Sequence, residues 1–432
     1  MVVLNPDGSL HSVHHTLDEK APGENLSRED ALARAETYLR GQKNMDLSGW
    51  NLVDTHADKK PARTDYTFEW EQIAALDSAA GQQGAHIRVQ IQVLGDEVSS
   101  YRVFIKIPEA WRDAESRTTG AQLAQTFGRA IAIGVVLLAV LVIFLRNLKH
   151  PDIARVPWRR FTLWSMWMLA AAVVIFINRF PQLMGNYTTT TPLAMYFAIL
   201  SISMLFAVAL YFAAAVLLLG LSWFFLERAF GPGLIPGWTG MKASYYRDAL
   251  AVAILGSVAV MGLNRLPLLL ARWPLLRHTL GSSVPDGLDL LSPAAGAAAS
   301  SIAASFLTAG IVGLAAGLIA IYVRPVWMRA GILVLYAVLM TTNVATAGGF
   351  LRDAGFHLFM GAVFWLGVTR LVRFNVMGYF LLAAMTALVP SALDLIEQPN
   401  PYFHANGYAV LACAIAAIAW PLIHWQRRAG MF

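Results

Sequence analysis

The chain has 432 residues, of which 57% are hydrophobic and only 14% are charged, and its mean hydropathy is +0.52. Soluble domains carry about 25% charged and 45–50% apolar residues, so the composition excludes an ordinary water-soluble protein. The single cysteine, Cys413, excludes an intrachain disulfide and a cysteine-based zinc site.

The formal net charge of +6 is divided unevenly along the chain. Residues 1–125 carry 13 Lys and Arg against 19 Asp and Glu, whereas residues 126–432 carry 20 against 8. The predicted fold class is therefore a membrane all-α polytopic bundle over 126–432, preceded by a small soluble α+β domain over 1–125. The basic residues of the second part are dispersed between apolar runs, so the sequence predicts no nucleic-acid partner.

Local signals in residues 1–125 predict one helix and an antiparallel sheet. Asn5-Pro6-Asp7-Gly8 is typical of a turn after a first strand. Ser27 is a typical N-cap, with Asp30 placed to complete a capping box. Alternating apolar and polar residues predict strands at 66–70, 87–93 and 101–107. The alternation predicts one wet face, with the helix covering the other.

Long apolar runs follow from residue 127. They predict about nine transmembrane helices, at about 128–145, 161–177, 193–226, 249–263, 294–323, 330–347, 356–369, 376–393 and 408–423. Several are shorter than the roughly 20 residues that cross a bilayer, so their ends must use flanking residues. The third run exceeds one crossing, and Gly220 is the expected point at which it divides into a span and an interfacial helix.

Basic residues predict the orientation of these spans, because cytoplasmic loops are rich in Lys and Arg. The loop at 146–160 and its alternates carry 14 basic residues, and the opposite loops carry five. The prediction is a multi-pass protein of a bacterial inner membrane, with the acidic domain outside and the C-terminus in the cytoplasm. An exported domain needs a signal or anchor ahead of it, so we expect a truncated start, with an inverted topology as the alternative.

Small and polar residues within the spans predict close helix packing rather than chemistry. The span at 294–323 carries a face of small residues, with Gly296, Gly310, Gly313, Gly317, Ser300, Ser301 and Ser305. Such residues let helix backbones approach in membranes. Asn343 is predicted to supply an interhelical hydrogen bond, and Asn178, Arg179 and Arg265 lie at span ends, where arginines reach the interface.

Several stretches of the first 125 residues resemble a known domain. They are 3–9, 21–27, 63–71, 95–98 and 107–111. Together they look like the extracytoplasmic front domain of long bacterial proteins of the CPBP family, the CAAX protease and bacteriocin-processing enzymes. The resemblance implies that a polytopic region with an intramembrane metalloprotease core follows, and it covers that region only loosely.

The residues to which that family's catalysis is attributed have no counterpart in this sequence. The family uses a Glu-Glu-x-x-x-Arg helix followed by spans with metal-binding His residues, a combination suited to a zinc-bound water. After residue 125 no two acidic residues are adjacent, and 292–323 contains no Glu, Asp or His. No catalytic or cofactor-binding residue is therefore assigned, and protease activity does not transfer with the resemblance.

One polar constellation offers a possible metal site. Asp353 and His357 are spaced i, i+4 and share a helix face. Asp394 and Glu397 are spaced i, i+3, and His404 follows in the next helix. If adjacent hairpins bring these carboxylates and imidazoles together, they are suitable ligands for Zn²⁺. The alternative is that they are solvated residues at helix ends.

Three classes of function remain open from the sequence. The leading hypothesis is a non-catalytic membrane protein with a binding, scaffold or accessory role, lying in the lipid bilayer and contacting a membrane-protein partner through its N-terminal domain. The first alternative is a CPBP-type intramembrane metalloprotease with a divergent or missing active site, which would need zinc. A small-molecule transporter is the second, although Pro267 and Pro390 do not form the matched pair of interrupted spans typical of inverted repeats.

Overall fold

The computed structural model describes residues 2–5, 7–15, 17–73, 85–109, 113, 120–147, 149–187, 191–231, 242–270, 287–341, 347–366 and 375–430. The chain divides into two compact units. The first comprises Met1–Thr118 with Gly185–Tyr196, and the second comprises Thr119–Met184 with Phe197–Phe432.

The first unit contains a six-stranded antiparallel sheet and one helix. Its elements are β1 (Val2–Leu4), β2 (Leu10–His14), α1 (Arg28–Lys43), β3 (Trp50–Lys59), β4 (Thr64–Gln72), β5 (His86–Leu94) and β6 (Glu97–Lys106). The strand order is β1-β2-β6-β5-β4-β3. Strands β3 to β6 therefore form a meander, and β2 joins the sheet through β6.

Helix α1 begins and ends at the residues that its sequence indicates. The Ser27 hydroxyl accepts a hydrogen bond from the Asp30 backbone N–H at 3.1 Å and donates one to the Asp30 carboxylate. At the other end, Asn44 adopts the left-handed conformation, and its N–H bonds to the Leu39 carbonyl. These two caps satisfy backbone groups that a helix leaves without partners at its ends.

The two faces of the sheet differ as the alternation predicts. On one face, fully buried side chains of α1 pack against those of the central strands, namely Ala31, Ala35, Leu39, Phe68, Trp70, Val89, Ile91 and Val93. On the other face, Arg88 forms ion pairs with Glu69 and Glu71, and Gln90 donates to Glu69. The wet face and the helix-covered face are both confirmed.

The second unit is helical. The helices that lie wholly or mostly in it are α2 (Gly120–Asn147), α3 (Trp158–Asn178), α4 (Phe180–Gly185), α5 (Leu193–Phe230), α6 (Ala243–Leu270), α7 (Pro293–Tyr322), α8 (Val326–Met340), α9 (Ala347–Leu366), α10 (Val376–Ile396) and α11 (Pro401–Arg428). Among the described residues, seven helices are long and apolar enough to cross a membrane, namely α2, α3, α5, α6, α7, α10 and α11.

These seven helices account for seven of the nine predicted spans. The remaining two, at 330–347 and 356–369, correspond to α8 and α9. Helix α8 has only 15 residues, fewer than the roughly 20 that cross a bilayer. Helix α9 has 20 residues but includes the adjacent charges Arg352 and Asp353. Nine crossings are therefore not confirmed.

Helix α5 differs from the prediction at Gly220. The helix runs without interruption over 38 residues and does not divide there. The ring of Trp158 lies directly against the Gly220 backbone, in the space that a Cβ would occupy. The glycine therefore serves a close side-chain contact rather than a break between two helices.

Helix α7 packs against its neighbours through small residues, which confirms the predicted small-residue face. A Cβ added at Gly310 would lie 2.8 Å from the Leu218 Cβ, and one at Gly317 would lie 2.7 Å from the Phe225 Cβ. The Ser222 hydroxyl donates a 2.9 Å hydrogen bond to the Gly310 carbonyl. Helices α5 and α7 thus approach so closely that a side chain at position 310 or 317 would overlap α5.

Helix ends are joined by hydrogen bonds at two opposite faces of this unit. At one face, the Asn178 amide bonds to the backbone of Ser292, and the Asn406 side chain accepts from the Ala294 N–H. The ends of α3 and the starts of α7 and α11 therefore share this face.

The opposite face contains the remaining ends. Arg228 donates to the Asn147 side chain at 2.6 Å, which joins the ends of α2 and α5. Asn375 donates to the Tyr245 carbonyl at 2.8 Å, which joins the starts of α6 and α10. The helix ends joined by these hydrogen bonds thus divide between two faces.

We expect Gly317→Ala to lower the free energy of unfolding by about 1–3 kcal/mol, because the new methyl group overpacks against the Phe225 backbone. Gly331→Ala in α8 is the matched control, since no heavy atom lies within 4 Å of its added Cβ. That change should stabilise by about 0.5–1 kcal/mol through helix propensity alone. Thermal unfolding of the purified chain in detergent measures both, and equal shifts would contradict the packing.

Candidate functional site

The structure brings two of the five predicted metal ligands together. In α9, the His357 Nε2 lies 3.3 Å from the Asp353 Oδ1, and about a quarter of each side chain is exposed. This is the i, i+4 pair that the spacing predicts. A carboxylate and an imidazole on one helix face are two ligands, fewer than the three or four that a zinc site uses.

The other three predicted ligands lie at the turn between α10 and α11. Glu397 caps α10, the His404 imidazole contacts the Gln398 carbonyl, and the Gln398 amide donates to the Asp394 carbonyl. Helix α9 packs against α8, whereas α10 packs against α6, α7 and α11. In the ranges that the structure covers, no three His, Cys, Asp or Glu side chains are grouped to hold a metal ion.

Asn178 at a span end and the serines inside α7 have structural partners. Asn178 is buried, its amide nitrogen donates to the Ser292 carbonyl at 2.8 Å, and its amide oxygen accepts from the Ser292 N–H at 2.7 Å. Ser301 and Ser305 are buried in α7 and donate to backbone carbonyls. Asn343 lies outside the described residues.

One charged residue inside an apolar run was missed by the sequence analysis. The Arg129 guanidinium in α2 donates to the carbonyls of Leu339 and Thr341, and Gln125 donates to those of Val338 and Thr341. These carbonyls end α8 and have no partner in their own helix. The sequence does contain a signal for this contact, because an ionisable residue within an apolar span usually pairs with a specific polar group.

The sheet domain contains a surface depression with a volume of about 780 Å³, here called the α1–β3 hollow. It is lined by Glu36, Arg40, Asn44, Met45, Asp46, Leu47, Ser48, Trp50, Leu52 and Trp70. Two tryptophans thus lie beside an exposed Arg40–Glu36 ion pair. Aromatic and arginine side chains in one depression are the composition typical of protein-binding sites.

The charge on Asp46 in this hollow is stabilised locally. The backbone N–H and the hydroxyl of Ser48 both donate to the Asp46 carboxylate, at 2.9 and 2.7 Å. These hydrogen bonds lower the pKa of Asp46 below its usual value. The hollow therefore presents a fixed negative charge next to the Arg40 guanidinium.

The α1–β3 hollow opens at an edge of the sheet. Strand β3 has ten residues and pairs with β4 on one side only, so its other edge has no neighbouring strand among the described residues. Most of its side chains are exposed. Trp50 and Leu52 belong both to the hollow and to this edge. Free backbone groups beside an aromatic depression suit an added strand from another segment.

A buried ion pair fixes the segment that precedes α1. The Arg63 Nε donates to the Asp65 Oδ1 at 2.8 Å, and both side chains are almost fully buried. Arg63 also donates to the Asp18 and Ala21 carbonyls, and the Gly95 N–H donates to Asp65. Residues of the stretches 21–27, 63–71 and 95–98 therefore meet at this pair.

No protein-family model, curated protein or solved structure matches the chain.

We expect Arg63→Met to lower the free energy of unfolding of the sheet domain by about 3–5 kcal/mol, because it leaves the buried Asp65 carboxylate without a countercharge. Arg40→Met is the control, since an exposed i, i+4 pair contributes about 0.3–0.5 kcal/mol. Pulse proteolysis of the full chain measures both variants. Losses of similar size would show that the buried pair does not hold the domain together.

Proposed function

We propose that this chain is a multi-pass membrane protein of a non-catalytic kind, which binds a partner protein through its N-terminal sheet domain in a scaffold or accessory role. The observation that carries the proposal is the coincidence of the α1–β3 hollow with the free edge of β3. Trp50 and Leu52 lie on both. A partner segment can add a strand to the edge while one of its side chains enters the hollow.

The membrane environment is supported by the seven long apolar helices and by the outward position of their large hydrophobic residues. Leu205, Phe206, Leu255 and Ile415 are each at least 60% exposed in the isolated chain. Contiguous apolar surface of this extent is costly in water and ordinary in lipid. A lipid bilayer is therefore the proposed surrounding of the second unit.

The proposed orientation rests on charge. The face that joins Arg228 to Asn147 also contains the loop at 149–157 and the end of α11, with Arg427 and Arg428. The described basic residues at these helix ends support the assignment of this face to the cytoplasm of a bacterial inner membrane. Helix α2 begins at the opposite face, which assigns the acidic domain before it to the outside.

A relationship to CPBP proteins belongs to the same proposal. The stretches that resemble CPBP proteins, at 21–27, 63–71 and 95–98, surround the buried Arg63–Asp65 pair. Their occurrence together has a physical reason, because each supplies a group that the pair needs. The metalloprotease alternative rests on the Asp353–His357 pair, and near-stoichiometric zinc in the purified protein would favour it over the present proposal.

A photo-reactive amino acid at Leu52 is expected to cross-link a partner in cells. The same probe at Ile105, an exposed position of β6, should give no such product. Arg40→Glu should reduce the Leu52 product several-fold, since the reversed charge disturbs the hollow without touching the buried core. The adduct is measured by its size on a gel and identified by mass spectrometry.

Equal cross-linking from Leu52 and Ile105, or a Leu52 product that is insensitive to Arg40→Glu, would contradict binding at the α1–β3 hollow.

A further inference from the structure

A second concave site lies among the helices of the second unit. It is an apolar pocket of about 490 Å³ between α3, α5 and α7, here called the Arg179 pocket. Its α3 wall extends from Met168 to Arg179, which is about 16 Å along the helix axis at a rise of 1.5 Å per residue. Its volume lies in the usual range for small-ligand sites, about 300–1,000 Å³.

The pocket exists because α5 and α7 separate beyond their glycine contacts. Those contacts extend from Gly310 to Gly317 in α7. The four α7 residues that line the pocket precede Gly310, and three of them are small, namely Ser300, Ala303 and Ala304. On the facing helices, Ala172 and Ala207 also leave space. Small side chains on helices that no longer touch leave a slot instead of a packed interface.

The pocket walls are mostly apolar, with Tyr211 and Ser300 as their uncharged polar residues, and a charged residue lies at one end. Arg179 follows the last residue of α3 and carries the one guanidinium among the described residues that line the pocket. In the described part of the chain, this group forms no ion pair or side-chain hydrogen bond. An apolar slot with an available cation at its end is complementary to a long apolar chain with an anionic head.

We propose that the Arg179 pocket binds one acyl chain of an anionic phospholipid, with the lipid phosphate beside Arg179. This inference rests on the proposed membrane location of the helices. A phospholipid is the expected ligand because of where the cation lies. Arg179 follows an apolar helix that begins at Trp158, so its guanidinium lies at headgroup level when α3 crosses the bilayer. The acyl chain then extends along α3 towards Met168.

The test is native mass spectrometry of the full chain in mild detergent, with added dioleoylphosphatidylglycerol or dioleoylphosphatidylcholine. We expect one phosphatidylglycerol per chain to be retained in preference to phosphatidylcholine. Arg179→Gln should weaken the retention of phosphatidylglycerol about fivefold, the factor that corresponds to ~1 kcal/mol for one basic residue beside an anionic headgroup. Arg159→Gln is the matched control, because Arg159 lies at the opposite end of the same helix and outside the pocket.

A second pair of variants tests the apolar part of the pocket. Ala304→Phe fills the slot and should abolish the retention of both lipids, whereas Ala209→Phe adds the same ring to an exposed position of α5 and should not. If Ala304→Phe does not fold, Ala172→Leu provides the smaller obstruction. Elution as a single species and an unchanged unfolding temperature establish folding for each variant.

Equal retention of phosphatidylglycerol by the wild type and Arg179→Gln, or unchanged retention after the slot is filled, would overturn the proposal. Arg179-dependent binding of sodium dodecanoate without binding of phosphatidylglycerol would overturn it as well, since the ligand would then be a carboxylate. Recovery of the chain in carbonate-washed membranes is scored separately. Its absence would refute the membrane location itself, whatever the lipid result.

Discussion

The close approach of α5 to α7 is the constraint on which the second unit depends. Water does not drive helices together inside a bilayer, so their association there depends on van der Waals contact and on hydrogen bonds between backbones and short side chains. Gly310 and Gly317 permit that contact, and Ser222 adds a hydrogen bond to the Gly310 carbonyl. Because α7 also packs against α3, α10 and α11, its position sets theirs.

The same constraint explains where polar groups are found. Asn178 and Ser305 lie within or at the ends of helices, and each bonds to backbone atoms, so their role is to position helices. Polar side chains used in this way do not remain available for chemistry. The features suited to binding lie elsewhere: in the α1–β3 hollow of the sheet domain, and in the Arg179 pocket where the glycine contacts end.

Local signals predicted local structure well. The Ser27 cap, the turn at Gly8 and the wet face of the sheet all depend on residues close in sequence, and all three were found. Strand β3 was missed because it is an exposed edge, where alternation is not enforced by burial. Gly220 was misjudged because Trp158, which occupies the space beside it, is 62 positions away in the chain. Convergence of Asp353 with His404 likewise depends on which helices pack together, and spacing alone does not determine that.

Disulfide cross-linking between α5 and α7 in native membranes tests the central contact most directly. In a Cys413→Ser background, Gly313→Cys and Ser222→Cys should form a disulfide nearly completely on mild oxidation, because a Cβ at 313 lies 3.3 Å from the Ser222 Cβ, close to the spacing found in disulfides. Gly331→Cys with Ser222→Cys should remain reduced, and the cross-linked chain should stay in carbonate-washed membranes. Absence of the first disulfide, or equal oxidation of both pairs, would contradict the arrangement of helices around α7.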